Sequence, residues 1–150
     1  MRILQIVKQT MADGPGIRNA IYFAGCGHKC PGCHNPQSWD FNSGTEMSVD
    51  EILAEVVEDG IDITITGGDP IYQHKELTEL LMKLKSLRKN IWLYTGFYYE
   101  DIKHLPCMKY VDVVVDGPFI LSQRTTDGFK GSTNQRIIHL HNENTGNQSC

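Results

Sequence analysis

Long apolar runs are missing from this 150-residue chain. No stretch approaches the roughly 18 residues that a membrane-spanning helix needs. The N-terminus also lacks the basic-then-apolar pattern of a secretory leader. Positive charge is scarce, with 14 Lys and Arg against 18 Asp and Glu and a formal net charge of −4. That balance argues against a domain whose main task is gripping nucleic-acid phosphates. Internal repeats and low-complexity tracts are absent too. What remains is an ordinary globular composition, 40% hydrophobic and 21% charged, long enough for one domain over residues 1–140. The polar stretch 141–150 reads as a mobile tail. The expectation is a cytoplasmic protein with no membrane and no nucleic acid among its partners.

A fourth neighbouring cysteine is also missing. Of five cysteines, Cys26, Cys30 and Cys33 fall within eight residues, while Cys107 and Cys150 stand far away. In a reducing compartment such a group points to metal ligation or redox chemistry rather than a disulfide framework. Cys107, after Pro106, reads as a buried thiol, and Cys150 as a tail residue that ligates nothing.

β-Branched apolar runs recur at 3–7, 20–24, 61–66, 91–95, 111–115 and 136–140. Several are nearly continuous in apolar character, as strands covered on both faces by helices would be. A helix is predicted to open at Ser48, with Glu51 completing a capping box and Ile52, Val56 and Val57 on one side. A second runs from about His74 to Arg88 and carries Leu77, Leu80, Leu81, Leu84 and Leu87 as a core stripe. A short third follows Tyr98, contains Tyr99, Ile102 and His104, and stops before Pro106. Strands alternating with helices predict parallel pairing through crossovers. The chain is too short for a full eight-unit barrel, so an open, partial parallel β/α barrel is expected. Its ligand would sit at the C-terminal ends of the strands.

Those ends are chemically distinctive. The cysteine loop, Gly25 to Pro36, follows the second run; Thr66-Gly67-Gly68-Asp69-Pro70 follows the third; Gly96 follows the fourth; and Asp116-Gly117-Pro118-Phe119 follows the fifth. Three cysteines leave three readings open. With His28 or His34 they make a Cys3His zinc site. They also suit a cluster that only moves electrons, or a four-iron cluster with one iron open to an outside ligand. The surrounding glycines and Pro31 let backbone N–H groups approach the sulfurs. Gly67 and Gly68 remove side chains where a ligand could meet backbone, and Asp69 adds an acceptor for an ammonium group. Read alone, the same residues make a plain turn.

Taken together, Cys26-x3-Cys30-x2-Cys33 and the later glycine pair resemble the radical S-adenosylmethionine superfamily. The finer resemblance is to its glycyl-radical activating enzymes, in the branch that serves anaerobic ribonucleoside-triphosphate reductase. It is carried by Asp13-Gly14-Pro15-Gly16-Ile17-Arg18, by Cys33-His34-Asn35-Pro36 with Trp39, by Asp116-Gly117-Pro118-Phe119, and by Gly131-Ser132-Thr133-Asn134-Gln135-Arg136. The resemblance runs from about residue 4 to residue 140. It implies a [4Fe-4S] cluster on Cys26, Cys30 and Cys33, with S-adenosylmethionine chelating the open iron. Gly67, Gly68 and Asp69 would receive its amino group, and Gly32, Cys33 and His34 would line its adenine side. Thr95 and Asp116 would stand at matching strand ends. The implied reaction is reductive cleavage of S-adenosylmethionine, followed by removal of hydrogen from a glycine of the reductase large subunit. The electron would come from a donor such as a flavodoxin or ferredoxin. Two departures are visible: Gly32 stands where many members have an aromatic residue, and Asp69 where many have Glu.

Around this core, Asp13 to Arg18 reads either as a receiver for the partner's glycine loop or as a turn. Tyr94, Phe97, Tyr98, Tyr99 and Phe119 read as half-buried packing or as cleft lining. Arg124, Lys130 and Arg136 read as solvated charges or partner contacts. His74, His104, His139 and His141 show no ligand spacing.

Overall fold

The computed structural model describes residues 1–33 and 36–140. The expectations placed on His34, Asn35, His141, Cys150 and the 141–150 tail lie outside those residues. In chain order the elements are β1 (Arg2–Thr10), β2 (Arg18–Phe23), β3 (Thr45–Glu46), α1 (Val49–Val56), β4 (Asp62–Gly67), α2 (His74–Ser86), β5 (Ile91–Tyr94), α3 (Tyr99–Ile102), β6 (Val113–Asp116) and β7 (Arg136–His139). The strands form one sheet in the order β3-β1-β2-β4-β5-β6-β7.

Its centre is parallel, β2 with β4, β4 with β5 and β5 with β6. Its flanks are not, which corrects the expectation of parallel pairing throughout. β1 runs antiparallel to β2 and β3, and β7 antiparallel to β6. Only residues 11–17 join β1 to β2, too few for a crossover that needs a dozen or more residues. The longer 117–135 connection contains one 3-10 turn, Leu121–Gln123, and no α-helix to carry the chain back across the sheet. The Thr45–Glu46 strand was not expected at all.

The helices form as the sequence indicates. At α1, the Glu51 N–H donates to Ser48 Oγ at 3.1 Å and the Ser48 N–H donates to Glu51 Oε1 at 2.9 Å, the two halves of a capping box. Ile52 and Val56 of α1, and Leu77, Leu80, Leu81 and Leu84 of α2, are fully buried. Val57 and Leu87 are exposed, contrary to their assignment to the apolar stripes. Each is the C-cap residue just past its helix, where helical periodicity no longer dictates which way a side chain points.

All three helices pack on one face of the sheet, against Ile21, Phe23, Ile63, Ile65, Ile91, Leu93 and Val114. The expectation of helices on both faces is therefore corrected as well. On the opposite face Trp92, Val113 and Val115 pack with Tyr94, Phe129 and Ile137. Phe129 comes from the 117–135 connection, so a loop rather than a helix layer covers this side. The alternation along β4 records the difference: Ile63 and Ile65 meet the helices, while Thr64 and Thr66 face the other way.

Candidate iron–sulfur site

On the loop-covered face, at the C-terminal ends of the parallel strands, lies a cleft of about 290 Å³. Cys26, Cys30 and Cys33 line it together with His28, Gly67, Gly68 and Thr95. Phe119, Phe129, Lys130 and Gln135 close it from the 117–135 connection, and Asp13, Tyr22 and Tyr94 form its inner end. Cys26, Cys30, Cys33 and Cys107 are thiols rather than disulfide halves. Cys107 is buried in the helix-side core, as expected.

The cysteine loop is moulded onto the strand ends by backbone contacts. Gly25 N–H donates to Ser38 O at 2.6 Å, Cys26 N–H to Trp39 O at 3.3 Å and Cys33 N–H to Cys30 O at 3.0 Å. Gly25, Lys29 and Gly32 take positive φ, at 98°, 48° and 76°, so the chain curls back on itself in short steps. The backbone N–H groups of His28 and Lys29 are directed at the Cys26 sulfur. Burial pushes the Cys26 thiol up, these N–H groups oppose the rise, and the nearby Asp69 and Cys30 add to it.

The glycine pair has a structural reason beyond leaving room for a ligand. A Cβ at Gly67 would lie 2.2 Å from Phe23 N, and one at Gly68 would lie 2.5 Å from Gly25 O. Both are backbone atoms that cannot step aside. Gly68 N–H donates to Phe23 O at 2.7 Å and Asp69 N–H to Gly25 O at 2.8 Å. The end of β4 is thus bonded directly to the root of the cysteine loop.

Asp69 has no solvent exposure. Its carboxylate accepts from Ile71 N–H at 3.1 Å, from Gly96 N–H at 2.8 Å and from the Thr95 hydroxyl at 3.0 and 2.9 Å. Its fourth partner is His28 Nε2 at 2.8 Å. The His28 ring stands edge-on to Phe97 at 4.6 Å and tilted against Tyr72 at 5.8 Å. The sequence reads His28 only as a possible metal ligand; in the fold its Nε2 faces a carboxylate 41 residues away in sequence. Gly96 leaves the room that the ring takes. A Cβ there would lie 2.7 Å from the His28 ring.

Asp116 is also fully buried, but its carboxylate turns to Tyr99 N–H at 2.7 Å and to the Arg136 guanidinium. Its neighbours Val115 and Gly117, not Asp116 itself, line the cleft. Gln135 accepts from Gly131 N–H at 2.8 Å and donates to Gly117 O at 2.9 Å. The 116–119 and 131–136 motifs are therefore one laced unit that holds the cleft's outer wall. Gly32 does not line the cleft, and a Cβ there would lie 2.6 Å from Leu121 Cδ1. At the inner end, Tyr22 donates to Asp13 Oδ2 at 2.5 Å. Burial first, and then this bond, push the Tyr22 phenol well above its usual range. Arg18 is buried beneath, donating to Thr64 Oγ1 at 2.9 Å, Ile63 O at 2.8 Å and Pro15 O at 3.2 Å. The 13–18 motif thereby fastens the first connection across the sheet. Of the aromatics, Tyr94 and Phe119 line the cleft, Tyr99 packs on the core and Tyr98 is exposed.

The donor set fits an iron–sulfur cluster: three thiols opening on one cleft, with backbone N–H groups supplied to a sulfur. Among the described residues no group of three or more His, Cys, Asp or Glu side chains is gathered to hold a single metal ion. The sequence matches the family described as "4Fe-4S single cluster domain" over residues 12–138, which sets the class. Among curated proteins, the anaerobic ribonucleoside-triphosphate reductase-activating protein of Enterobacteria phage T4 is 39% identical over 133 residues, covering 83% of this chain and 85% of that protein. Proteins of the same name from Salmonella typhi and Escherichia coli K12 are each 30% identical, over 93% and 87% of this chain and 99% and 93% of their own lengths. This chain belongs to the family of anaerobic ribonucleoside-triphosphate reductase-activating proteins.

Proposed function

We propose that the chain activates an anaerobic ribonucleoside-triphosphate reductase as a radical S-adenosylmethionine enzyme. Cys26, Cys30 and Cys33 would hold a [4Fe-4S] cluster, leaving one iron for the amino and carboxylate groups of S-adenosylmethionine. Bound together there, the cluster and S-adenosylmethionine would supply the one-electron chemistry needed to take a hydrogen atom from a glycine of the reductase large subunit and leave a glycyl radical. The observation that carries this reading is the shared cleft: three cysteines and the Gly67–Gly68 backbone on one wall, in a chain of this family.

The chain's own residues bind, orient and exclude water. Backbone at Thr66, Gly67 and Gly68 offers acceptors to the ligand's ammonium group, because no side chain intervenes at the two glycines. Tyr94, Val115, Phe119 and Phe129 give the cleft an apolar wall, which suits chemistry that must be kept from water and stray C–H bonds. We read the parallel centre of the sheet, β2-β4-β5-β6, as an open, partial parallel β/α barrel flanked by antiparallel strands. Its mouth would admit the reductase's glycine loop. The electron would come from a flavodoxin- or ferredoxin-type donor in the reducing cytoplasm. No helix among the described residues is long and apolar enough to cross a membrane.

The test is anaerobic purification, iron and sulfide analysis, and electron paramagnetic resonance after reduction with S-adenosylmethionine and a matching reductase. About four irons and sulfides per chain and a glycyl-radical signal are expected. Replacing Cys26, Cys30 or Cys33 by Ala should abolish both. Colourless protein with one zinc, or S-adenosylmethionine consumed with no radical on the reductase, would refute the assignment.

A further inference from the structure

We propose that His28 and Asp69 are positioning residues that clamp the cysteine loop to the strand ends, and that the Asp69 carboxylate is not the acceptor for the ligand's amino group. The inference rests on the cluster assignment above.

A carboxylate offers about four acceptor positions. Asp69 meets four donors: Ile71 N–H, Gly96 N–H, the Thr95 hydroxyl and His28 Nε2. The Thr95 hydroxyl is free to donate because its oxygen accepts separately from Phe97 N–H at 3.1 Å. With no exposure and every acceptor position used, the carboxylate has no place for an incoming ammonium group. On that wall it is the backbone at the end of β4, at Thr66, Gly67 and Gly68, that lines the cleft.

What the carboxylate does instead follows from where its donors lie. Ile71 follows β4, Thr95 and Gly96 follow β5, and His28 lies between Cys26 and Cys30. The anion therefore joins the cysteine loop to two strand ends. His28 transmits this hold in a second way, since its own backbone N–H is aimed at the Cys26 sulfur. Anchoring the ring fixes that N–H, and N–H groups at sulfur both steady a cluster and raise its reduction potential. The packing leaves the ring little freedom. Phe97 and Tyr72 bracket it, and Gly96 has no side chain because the ring occupies that space.

Three reconstituted proteins test this: wild type, His28→Phe and His28→Gln. Phenylalanine keeps the ring packing and loses only the Nε2 donor, whereas glutamine can place an amide N–H near Asp69. His28→Phe should lose its visible absorption to an iron chelator at least about tenfold faster than wild type, the usual scale for an outer-shell change. Its midpoint potential should shift to more negative values. His28→Gln should recover most of both properties. Melting of the metal-free chains separates this from simple unfolding. If His28→Phe does not fold, Thr95→Val, which removes another Asp69 donor outside the loop, should move both readouts in the same direction. Wild-type chelator resistance and potential in His28→Phe, or in Thr95→Val where that is used, would overturn the clamp. So would an Asp69→Asn protein that keeps wild-type resistance but binds S-adenosylmethionine more weakly. Failure of the underlying reading is distinguishable, because a Cys30→Ala protein would then retain the wild-type iron content.

Discussion

Gly96→Ala offers a way to unseat His28 without changing either member of the pair. The new methyl carbon would lie 2.7 Å from Cδ2 and 2.9 Å from Nε2 of His28, where ordinary contact begins near 3.4 Å. The ring must retreat by about 0.7 Å, the difference between 3.4 and 2.7. A retreat of that size stretches the 2.8 Å bond to Asp69 towards the limit at which a hydrogen bond counts as one. Gly96 itself is not in the left-handed region, so alanine adds no backbone strain. A hydrogen bond to a charged group contributes about 1.5–3 kcal/mol. At tenfold per 1.4 kcal/mol, this is roughly a 10- to 150-fold fall in the ratio of seated to released loop. Urea unfolding of the metal-free chain would read the energy, and chelator bleaching of the loaded protein would read the loop. An alanine variant that matched wild type in both would show that the ring and its carboxylate contribute nothing to holding the site.

Further predictions concern parts of the fold away from the cysteine loop. Arg136→Ala removes the guanidinium from a fully buried Asp116; because Arg136 is 45% exposed, about 2–3 kcal/mol of the usual cost of orphaning a buried charge is expected in urea unfolding. Glu100→Ala, which removes the exposed partner of the same arginine, should leave the unfolding midpoint unchanged within error. Burial pushes the Cys107 thiol from 9.0 up to about 11. Between those values the unfolded chain releases a proton that the folded chain keeps, so stability should fall as pH rises, by up to about 1.4 kcal/mol per unit from this group. Cys107→Ala should remove that share of the alkaline slope, and an unchanged slope would contradict it.

What could be read in advance was local. The Ser48–Glu51 capping box and the leucines of α2 are codes contained within a few residues, and both formed as expected. Val57 and Leu87 failed because a periodic pattern carries no mark of where the helix ends. Strand direction was not legible either, since Ile3 to Val7 would look the same in either orientation; the short 11–17 connection held the information. The two threonines of β4 and Tyr22 and Tyr94 did signal a second, more polar face, against the impression of unbroken apolar runs. Within the site, the three cysteines and two glycines were legible because their spacing is short. The link from His28 to Asp69 was not, because two residues 41 apart meet only once β2 and β4 are side by side.

That separation bears on how the protein is made. Gly96 follows Cys33 by 63 residues (96 − 33), which at common rates of translation is roughly 3–13 s of synthesis. During that interval the cysteines have been made, while the amide and hydroxyl that complete the Asp69 environment are still to come. A cysteine-loop peptide, or a nascent chain stalled before β5, has the thiols but not the frame that orients them. On the proposed assignment, the frame that would hold iron and sulfide is complete only after β5 has been made.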